Sequence, residues 1–161
     1  MSVIILFLTM ILNGIFAMAE IALVSARPAR LQQRVAQDDR GAAAALDLMD
    51  EPNRFLSAVQ IGITLVGIFS GAFGASQFAR PLGNLLTRIG LPQNFAEETA
   101  FGLLVVLITY FTLVIGELLP KRIALNAPEA VASRLAIPMR FLSRITKPFV
   151  NLLSASTEFG I

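Results

Sequence analysis

TAFGLLVVLITYFTLVIGELLPK, residues 99–121, is the stretch that decides the fold of this chain. Its first eighteen residues, 99–116, carry no charge, and a membrane-spanning helix needs roughly 20 apolar residues. Glu117 ends this apolar run, and Pro120 and Lys121 follow within four residues. A carboxylate in this position is costly unless it faces a partner, a cavity or an ion, and a nearby proline frees backbone carbonyls that can act as ligands. The stretch therefore predicts a membrane helix whose Glu117 either belongs to a cation site or forms a surface ion pair with Lys121.

The composition of the whole chain is that of a membrane protein. Of its 161 residues, 55% are apolar and 15% charged, whereas soluble domains have about a half and a quarter. The chain has no cysteine and no histidine, which excludes disulfides, thiolate or imidazole metal sites and nucleophile–histidine catalysis. Any metal ion bound here must have oxygen ligands. The net charge of only +2 gives no reason to expect a nucleic-acid partner.

Two further apolar runs predict two more spans. We expect membrane helices over about 2–26, 55–79 and 99–119. Residues 17–19, Ala-Met-Ala, have the small-residue pattern of a signal-peptide cleavage site, but no basic residue precedes the first run and the run is long, so we expect it to be retained. In the second run, the spacings Gly67-xxx-Gly71 and Ser70-xxx-Gly74 predict close packing between helices.

The segments outside these runs are rich in charge and turn formers. We expect short cytoplasmic helices over 28–52, a loop over 80–98 and amphipathic juxtamembrane helices over 128–157, kinked by their prolines. In the last of these segments a basic face lies opposite an apolar face, which is typical of a helix in the membrane interface with anionic headgroups as its partners. The basic face consists of Arg140, Arg144 and Lys147.

The distribution of basic residues predicts the orientation. Five Lys/Arg lie between the first two runs, two between the second and third, and six after the third. Because cytoplasmic segments carry the excess of positive charge, the N-terminus is expected outside and the C-terminus in the cytoplasm. The predicted fold is an all-α membrane protein of the cell inner (plasma) membrane, with three transmembrane helices, short cytoplasmic helices and a C-terminal amphipathic juxtamembrane belt.

This topology places several polar residues near the cytoplasmic ends of the spans. Glu20 and Ser25 end the first span on the same side as Glu117. Ser70 lies past the middle of a continuous second span, so a site shared with Glu117 requires either breaks near the glycines of that helix or a long cytoplasmic approach. Carboxylate, hydroxyl and carbonyl oxygens are the ligands of hard cations such as Mg²⁺, Ca²⁺ and Na⁺.

Three segments carry a resemblance to a known family. AEIALVSARPARLQ (19–32), RFLSAVQIGITLVGIFSGAFG (54–74) and VIGELLPKRIALNAPE (114–129) resemble the membrane domain of the cyclin M (CNNM)/CorC magnesium-transporter family. The resemblance covers essentially the whole chain, and GELLPK followed by Asn and Pro-Glu is its most specific part. It implies three spans with a juxtamembrane belt, a homodimer, and Mg²⁺ efflux proposed to be driven by Na⁺ entry.

The resemblance also implies which residues bind the ion. The Mg²⁺ ligands would be Ser25, Ser70, Glu117 and the backbone around Gly67, although some relatives have an asparagine near the Gly67 position. Second-rank positions for Na⁺ or for supporting hydrogen bonds are Asn13, Glu20 and Asn126. Family members continue into cytoplasmic nucleotide-binding CBS domains, so the resemblance is to an isolated membrane domain without them.

Two other functions are compatible with the residues alone. In a membrane anchor or dimerisation module, the small residues would serve packing and the acids would serve surface salt bridges. An intramembrane enzyme would need a Ser–Lys pair, and Lys121 lies at the cytoplasmic edge, away from any serine at mid-span. We therefore expect no enzymatic activity and no catalytic residues.

Overall fold

Eight α-helices and one π-helical turn make up the part of the chain that the structure describes. The computed structural model describes the backbone of residues 1–159 and, except at positions 94, 153, 154 and 157–159, their side chains. Along the chain the helices are α1 (Ser2–Ser25), α2 (Pro28–Val35), α3 (Arg40–Asp50), α4 (Pro52–Arg88), α5 (Gln93–Leu113), α6 (Leu119–Asn126), α7 (Pro128–Ile145) and α8 (Lys147–Phe159). The π-helical turn, Val114–Leu118, joins α5 to α6.

Three helical stretches are long and apolar enough to cross a membrane. They are α1, α4 and the continuous stretch Phe95–Asn126, which includes the π-helical turn. In the bundle, α4 packs along both α1 and α5, while α1 also contacts the π-helical turn and α6. This confirms the predicted all-α membrane domain with three spans. We call the end of the bundle that carries α2, α3 and α7 the collar end, and the opposite end, with the α4–α5 connection, the loop end.

The second spanning helix is longer than predicted. The sequence placed its end at residue 79 and a loop over 80–98, but α4 continues through Pro81 to Arg88, and the connection to α5 is only residues 89–92. The predicted loop is therefore wrong. Proline in a helix removes one backbone hydrogen bond. Because Pro81 is exposed, this loss falls on the outer surface of the bundle, and the turn occurs instead at Gly90, whose φ is +106°.

The collar end is held by contacts between α3 and α7. Asp39 caps α3 by accepting from the Ala42 N–H at 3.0 Å, and its carboxylate oxygens accept from the Ser133 hydroxyl at 2.7 and 2.8 Å. Gly41 lies so close to α7 that an added Cβ would be 2.1 Å from the Ser133 carbonyl oxygen. The charged segments predicted to be short helices thus form a layer packed against the end of α1.

α7 has a buried, an apolar exposed and a charged surface. Small residues such as Ala132 and Ala136 are buried against α1 and α3. Of the two predicted kinks, the one at Pro148 coincides with the break between α7 and α8 at Thr146, with Pro148 in the first turn of α8, while α7 remains helical through Pro138. Proline is accommodated in a first turn because its missing N–H has no helical acceptor there.

Candidate functional site

The third span remains helical throughout, but its regular α-helical hydrogen bonding is interrupted at the π-helical turn and at Pro120, and we call this interruption the helix break. Pro120 has no N–H, so the Gly116 carbonyl four residues earlier loses its usual helical donor. The Asn13 side chain of α1 replaces that donor, its Nδ2 donating to the Gly116 oxygen at 3.0 Å. Asn13 is only 4% exposed, so it is a buried polar group whose amide has a structural acceptor. The proline of the GELLPK motif therefore explains the asparagine on the neighbouring helix.

Two glycines allow this close contact between α1 and the broken span. A Cβ on Gly116 would lie 3.1 Å from the Met10 carbonyl oxygen and 3.2 Å from the Asn13 amide nitrogen. A Cβ on Gly14 would lie 2.8 Å from Cγ of Pro120. Small residues at these positions let the two backbones approach, as is usual between membrane helices.

Near the collar end, two carboxylates from different spans contact one ammonium. Nζ of Lys121 lies 2.9 Å from Oε1 of Glu117 and 3.6 Å from Oε2 of Glu20. The three side chains are between about a quarter and two fifths exposed. The sequence treated the surface ion pair and the cation site as alternatives for Glu117. The structure contains the ion pair, and it adds Glu20 as a second carboxylate at the same ammonium.

A groove on the bundle surface reaches Glu20. Its volume is about 570 Å³, and apart from Glu20 it is lined by residues of α4. Three of these carry polar side chains at helical spacing, Ser57, Gln60 and Thr64. An exposed row of polar groups in a membrane-spanning helix is costly against lipid, so it is typical of a surface that faces water or a partner.

Polar side chains continue from Glu20 through the bundle along one face of α1. Thr9, Asn13 and Glu20 lie within about 40° of one another around the helix axis, at about 100° per residue. Within the described part of the chain, Oδ1 of Asn13 and Oγ1 of Thr112 are buried without a hydrogen-bond partner. We call the groups Thr9, Ser70, Asn13, Glu117, Lys121 and Glu20 the polar seam.

Ser70 joins this seam at its loop-end limit. Its hydroxyl donates to the Thr9 hydroxyl at 2.7 Å, and Ser70 is 1% exposed. Thr9 lies one helical turn, about 6 Å along the axis, from Asn13, so Ser70 is near the helix break and not beside Lys121. From the sequence we expected either breaks near the glycines of this helix or a long cytoplasmic approach to bring Ser70 level with Glu117. Instead α4 is continuous, and the break lies in the third span.

Three other expected residues lie outside the seam. Ser25 ends α1, about 140° around the helix axis from Glu20, where the following chain is held by the Arg27 N–H donating to Glu129 at 3.3 Å. Gly67 is half-buried, and an added Cβ there would meet no described atom within 4 Å. Asn126 is exposed at the end of α6.

The predicted small-residue packing applies to one of the two pairs. Ser70 contacts α1, and a Cβ on Gly74 would lie 2.3 Å from Ile108 of α5, so Ser70-xxx-Gly74 is a packing seam within the chain. For Gly67 and Gly71, no described atom lies within 4 Å of an added Cβ. The pair Gly67-xxx-Gly71 is therefore not a contact surface for the helices described here.

Thr9 and the contact between Lys121 and Glu20 were not predicted from the sequence. Thr9, Asn13 and Glu20 were visible as the polar residues of one face of the first span, at spacings of four and seven. The contact between Glu20 and Lys121 had no such signal, because it depends on how two separate helices are placed. Among the side chains that the structure describes, no group of three or more His, Cys, Asp or Glu residues is arranged to hold a metal ion.

Two carboxylates of the collar have lowered pKa values for structural reasons. Hydrogen bonds from Ser133, Arg34 and the Ala42 N–H lower the pKa of Asp39 to about 2. Burial alone would raise the pKa of Glu129. Hydrogen bonds from its own N–H and that of Arg27, with the nearby positive charge of Arg30, outweigh burial and hold this pKa below its usual range. Both groups are therefore ionised anchors of the collar.

These observations define a class of protein: a helical membrane domain of three spans with a charged site beside a broken third helix. The chain belongs to the family described as the cyclin M (CNNM) transmembrane N-terminal domain, which it matches over residues 3–161. It is 48% identical to the UPF0053 protein sll0260 of Synechocystis sp., over 97% of this chain and 36% of the relative.

Other relatives include transport proteins. The chain is 31% identical to the polyamine export protein of Escherichia coli, over 92% of this chain and 33% of that protein. It is also 31% identical to the polyamine export protein of Salmonella typhimurium, over 95% of this chain and 34% of that protein. The chain thus spans about a third of the length of the curated relatives it matches.

Proposed function

We propose that this domain exports a cation across the membrane and that Glu20 and Glu117 bind the cation during its passage. The observation that carries the proposal is the convergence of these two carboxylates, from different spans, on one positive charge beside an open groove. Ionisable groups inside membrane bundles usually mark ion or substrate pathways. The relatives named polyamine export proteins support an export function for a positively charged cargo.

The first cargo we propose is Mg²⁺, with Na⁺ entry as the driving reaction. Mg²⁺ prefers a few carboxylates with neutral oxygens and retains several waters, and the polar seam offers two carboxylates, an amide oxygen and hydroxyls. Glu117 is the primary ligand in this proposal. Ser70 lies on Thr9, about 16 Å along α1 from Glu20, so Ser70, like Ser25 and the Gly67 backbone, would require a larger rearrangement to join it.

The second cargo we propose is a polyamine. A specific observation favours it, because the group already held between Glu20 and Glu117 is a primary alkylammonium, that of Lys121. A polyamine presents the same group, and the printed names of two relatives concern polyamines. Mg²⁺ and a polyamine would share the carboxylates and compete with each other.

The proposal also includes the orientation of the domain in the membrane, its lipid partners and its oligomeric state. The collar end is cytoplasmic in the inner (plasma) membrane, because the segments there carry the excess of arginine and lysine. Arg144 and Lys147 face anionic headgroups, while Arg140 is shared with Asp47, to which it donates at 3.0 Å. The functional unit is a homodimer. The competing proposal is a membrane anchor or dimerisation module that moves no ion.

Flux measurements test the proposal directly. In liposomes containing the purified protein, Glu117→Gln should lower the rate of Mg²⁺ or polyamine movement by about tenfold or more, because one charged ligand is lost. Glu20→Gln should lower it as well. Glu98→Gln is the matched control, since Glu98 is an exposed acid at the loop end. Ser25→Ala tests the ligand position that lies outside the seam.

The flux measurements distinguish a cation exporter from a membrane anchor or dimerisation module. Equal flux in wild type, Glu117→Gln and Glu98→Gln would remove Glu117 from the pathway. A wild-type protein that forms dimers but moves neither cargo would favour the anchor module.

A further inference from the structure

Lys121 contacts two carboxylates, and the spacing of residues along one helix explains only one of these contacts. The contact with Glu117 is the usual pairing of residues four apart on one helix. The contact with Glu20 joins α6 to α1, and it places a positive charge between two carboxylates of different spans. The ammonium therefore occupies the position at which a cation bound to both carboxylates would lie.

The helix break helps to place Lys121 there. A π-helical turn adds one residue to a helical stretch, which rotates the following turn by about 100°. Lys121 follows the turn formed by Val114–Leu118, and Pro120 packs against Gly14 of α1 just before it. The break thus directs the lysine towards α1, where it contacts Glu20.

We propose that the Lys121 ammonium occupies the cation site while cargo is absent and leaves it when a dicationic cargo binds to Glu20 and Glu117. This inference rests on the proposed function. The cargo and the ammonium cannot share the position, because like charges at such short distance repel strongly in a partly buried site. The long, flexible lysine stem lets its charged end move to the membrane surface while the stem stays against apolar groups.

The tethered ammonium has two effects on transport. It leaves the empty site with a net charge of −1 in place of −2, which lowers the cost of any conformation in which the site is less hydrated. It also competes with cations from solution. A group on a short tether has an effective concentration in the millimolar range or above, so a monovalent ion is displaced by it more readily than a divalent ion or a diammonium.

Substitution of Lys121 tests this competition. Binding of Mg²⁺ and of putrescine is measured by calorimetry on the full chain in detergent at pH 8. Lys121→Met removes the charge and keeps the length, so both cations should bind about fivefold more tightly, and Na⁺ should become an effective competitor. Lys121→Arg keeps the charge and should bind both cations as weakly as the wild type does. Arg122→Met is the matched control, an exposed cation one residue further along α6.

Flux provides a second readout. In liposomes, Lys121→Met should transport more slowly despite its tighter binding, because the empty site has lost its counter-ion. Unchanged or weaker cation binding in a folded Lys121→Met protein would overturn the inference while leaving the proposed function intact. If neither the wild type nor any variant binds Mg²⁺ or putrescine, and Glu117→Gln has no effect on flux, both the inference and the proposed function fail.

Discussion

At the scale of single residues, Glu117 and Asp39 show how the same side-chain chemistry serves different purposes. Glu117 is two fifths exposed and paired with the flexible side chain of Lys121, and in the proposed function cargo takes the place of that lysine. Asp39 is held by a hydroxyl, a guanidinium and a backbone N–H that all belong to the collar. A carboxylate whose hydrogen bonds are fixed by the fold stabilises structure, whereas one with a movable partner can bind a ligand.

The lowered pKa of Asp39 predicts a dependence of stability on pH. Its pKa is about 2 in the folded protein and 3.8 ordinarily, so the ionised form is favoured by folding. Its stabilising contribution is complete above about pH 4 and disappears as the pH falls towards 2. Asp39→Asn should therefore lower the free energy of unfolding by about 1 kcal/mol at pH 7 and by progressively less as the solution is acidified.

Thermal unfolding in detergent between pH 7 and pH 2 measures this difference. Asp38→Asn is the control, since Asp38 is exposed with φ of 61°, a conformation that asparagine tolerates. A constant difference between Asp39→Asn and wild type across the whole pH range would contradict the assignment.

At the scale of elements, the third span is a broken helix whose break is supported from outside. Pro120 removes the donor for the Gly116 carbonyl, and Asn13 supplies another. The two glycines at positions 14 and 116 are needed because the helices touch at this point. The break is therefore a property of the pair of helices, and a change in α1 can alter the geometry of Glu117.

A double-mutant cycle tests this dependence. Asn13→Ala should destabilise the wild-type protein by about 1 kcal/mol, the size found for hydrogen bonds between membrane helices. In the Pro120→Ala background the residue at 120 regains an N–H for the Gly116 carbonyl, so Asn13→Ala should cost less. Unfolding free energies of the four proteins give the coupling. Additive effects would show that the asparagine does not replace the donor lost at the proline.

At the scale of the whole molecule, the collar and the bundle are one packed structure. α7 contacts α1, α3 and α4, and Glu129 holds the chain just after α1 ends. A row of exposed apolar side chains on α7, including Ile137 and Phe141, lies away from this contact. Such a helix is suited to the membrane interface, with its apolar row towards the acyl chains. The collar therefore joins the end of the first span to a helix that carries this exposed apolar row.

Single cysteines test the proposed orientation, because the natural sequence contains none. Gln37→Cys lies in the exposed connection between α2 and α3 at the collar end, and Gln93→Cys is exposed at the loop end. A membrane-impermeant maleimide should label Gln93→Cys in intact cells and Gln37→Cys only after lysis. The reverse labelling pattern would place the collar outside and contradict the positive-inside prediction.

The sequence by itself determined the fold class and the three apolar spans, because uninterrupted apolar length and the absence of charge are local properties of the chain. It also identified Glu117 and Pro120, since an acid followed by a proline at the end of a span is visible without a structure. The position of the helix break, the length of α4 and the partners of Ser70, Asn13 and Lys121 were decided only by the tertiary structure. These depend on how two helices are rotated and shifted against each other, which results from packing at glycines far apart in the sequence.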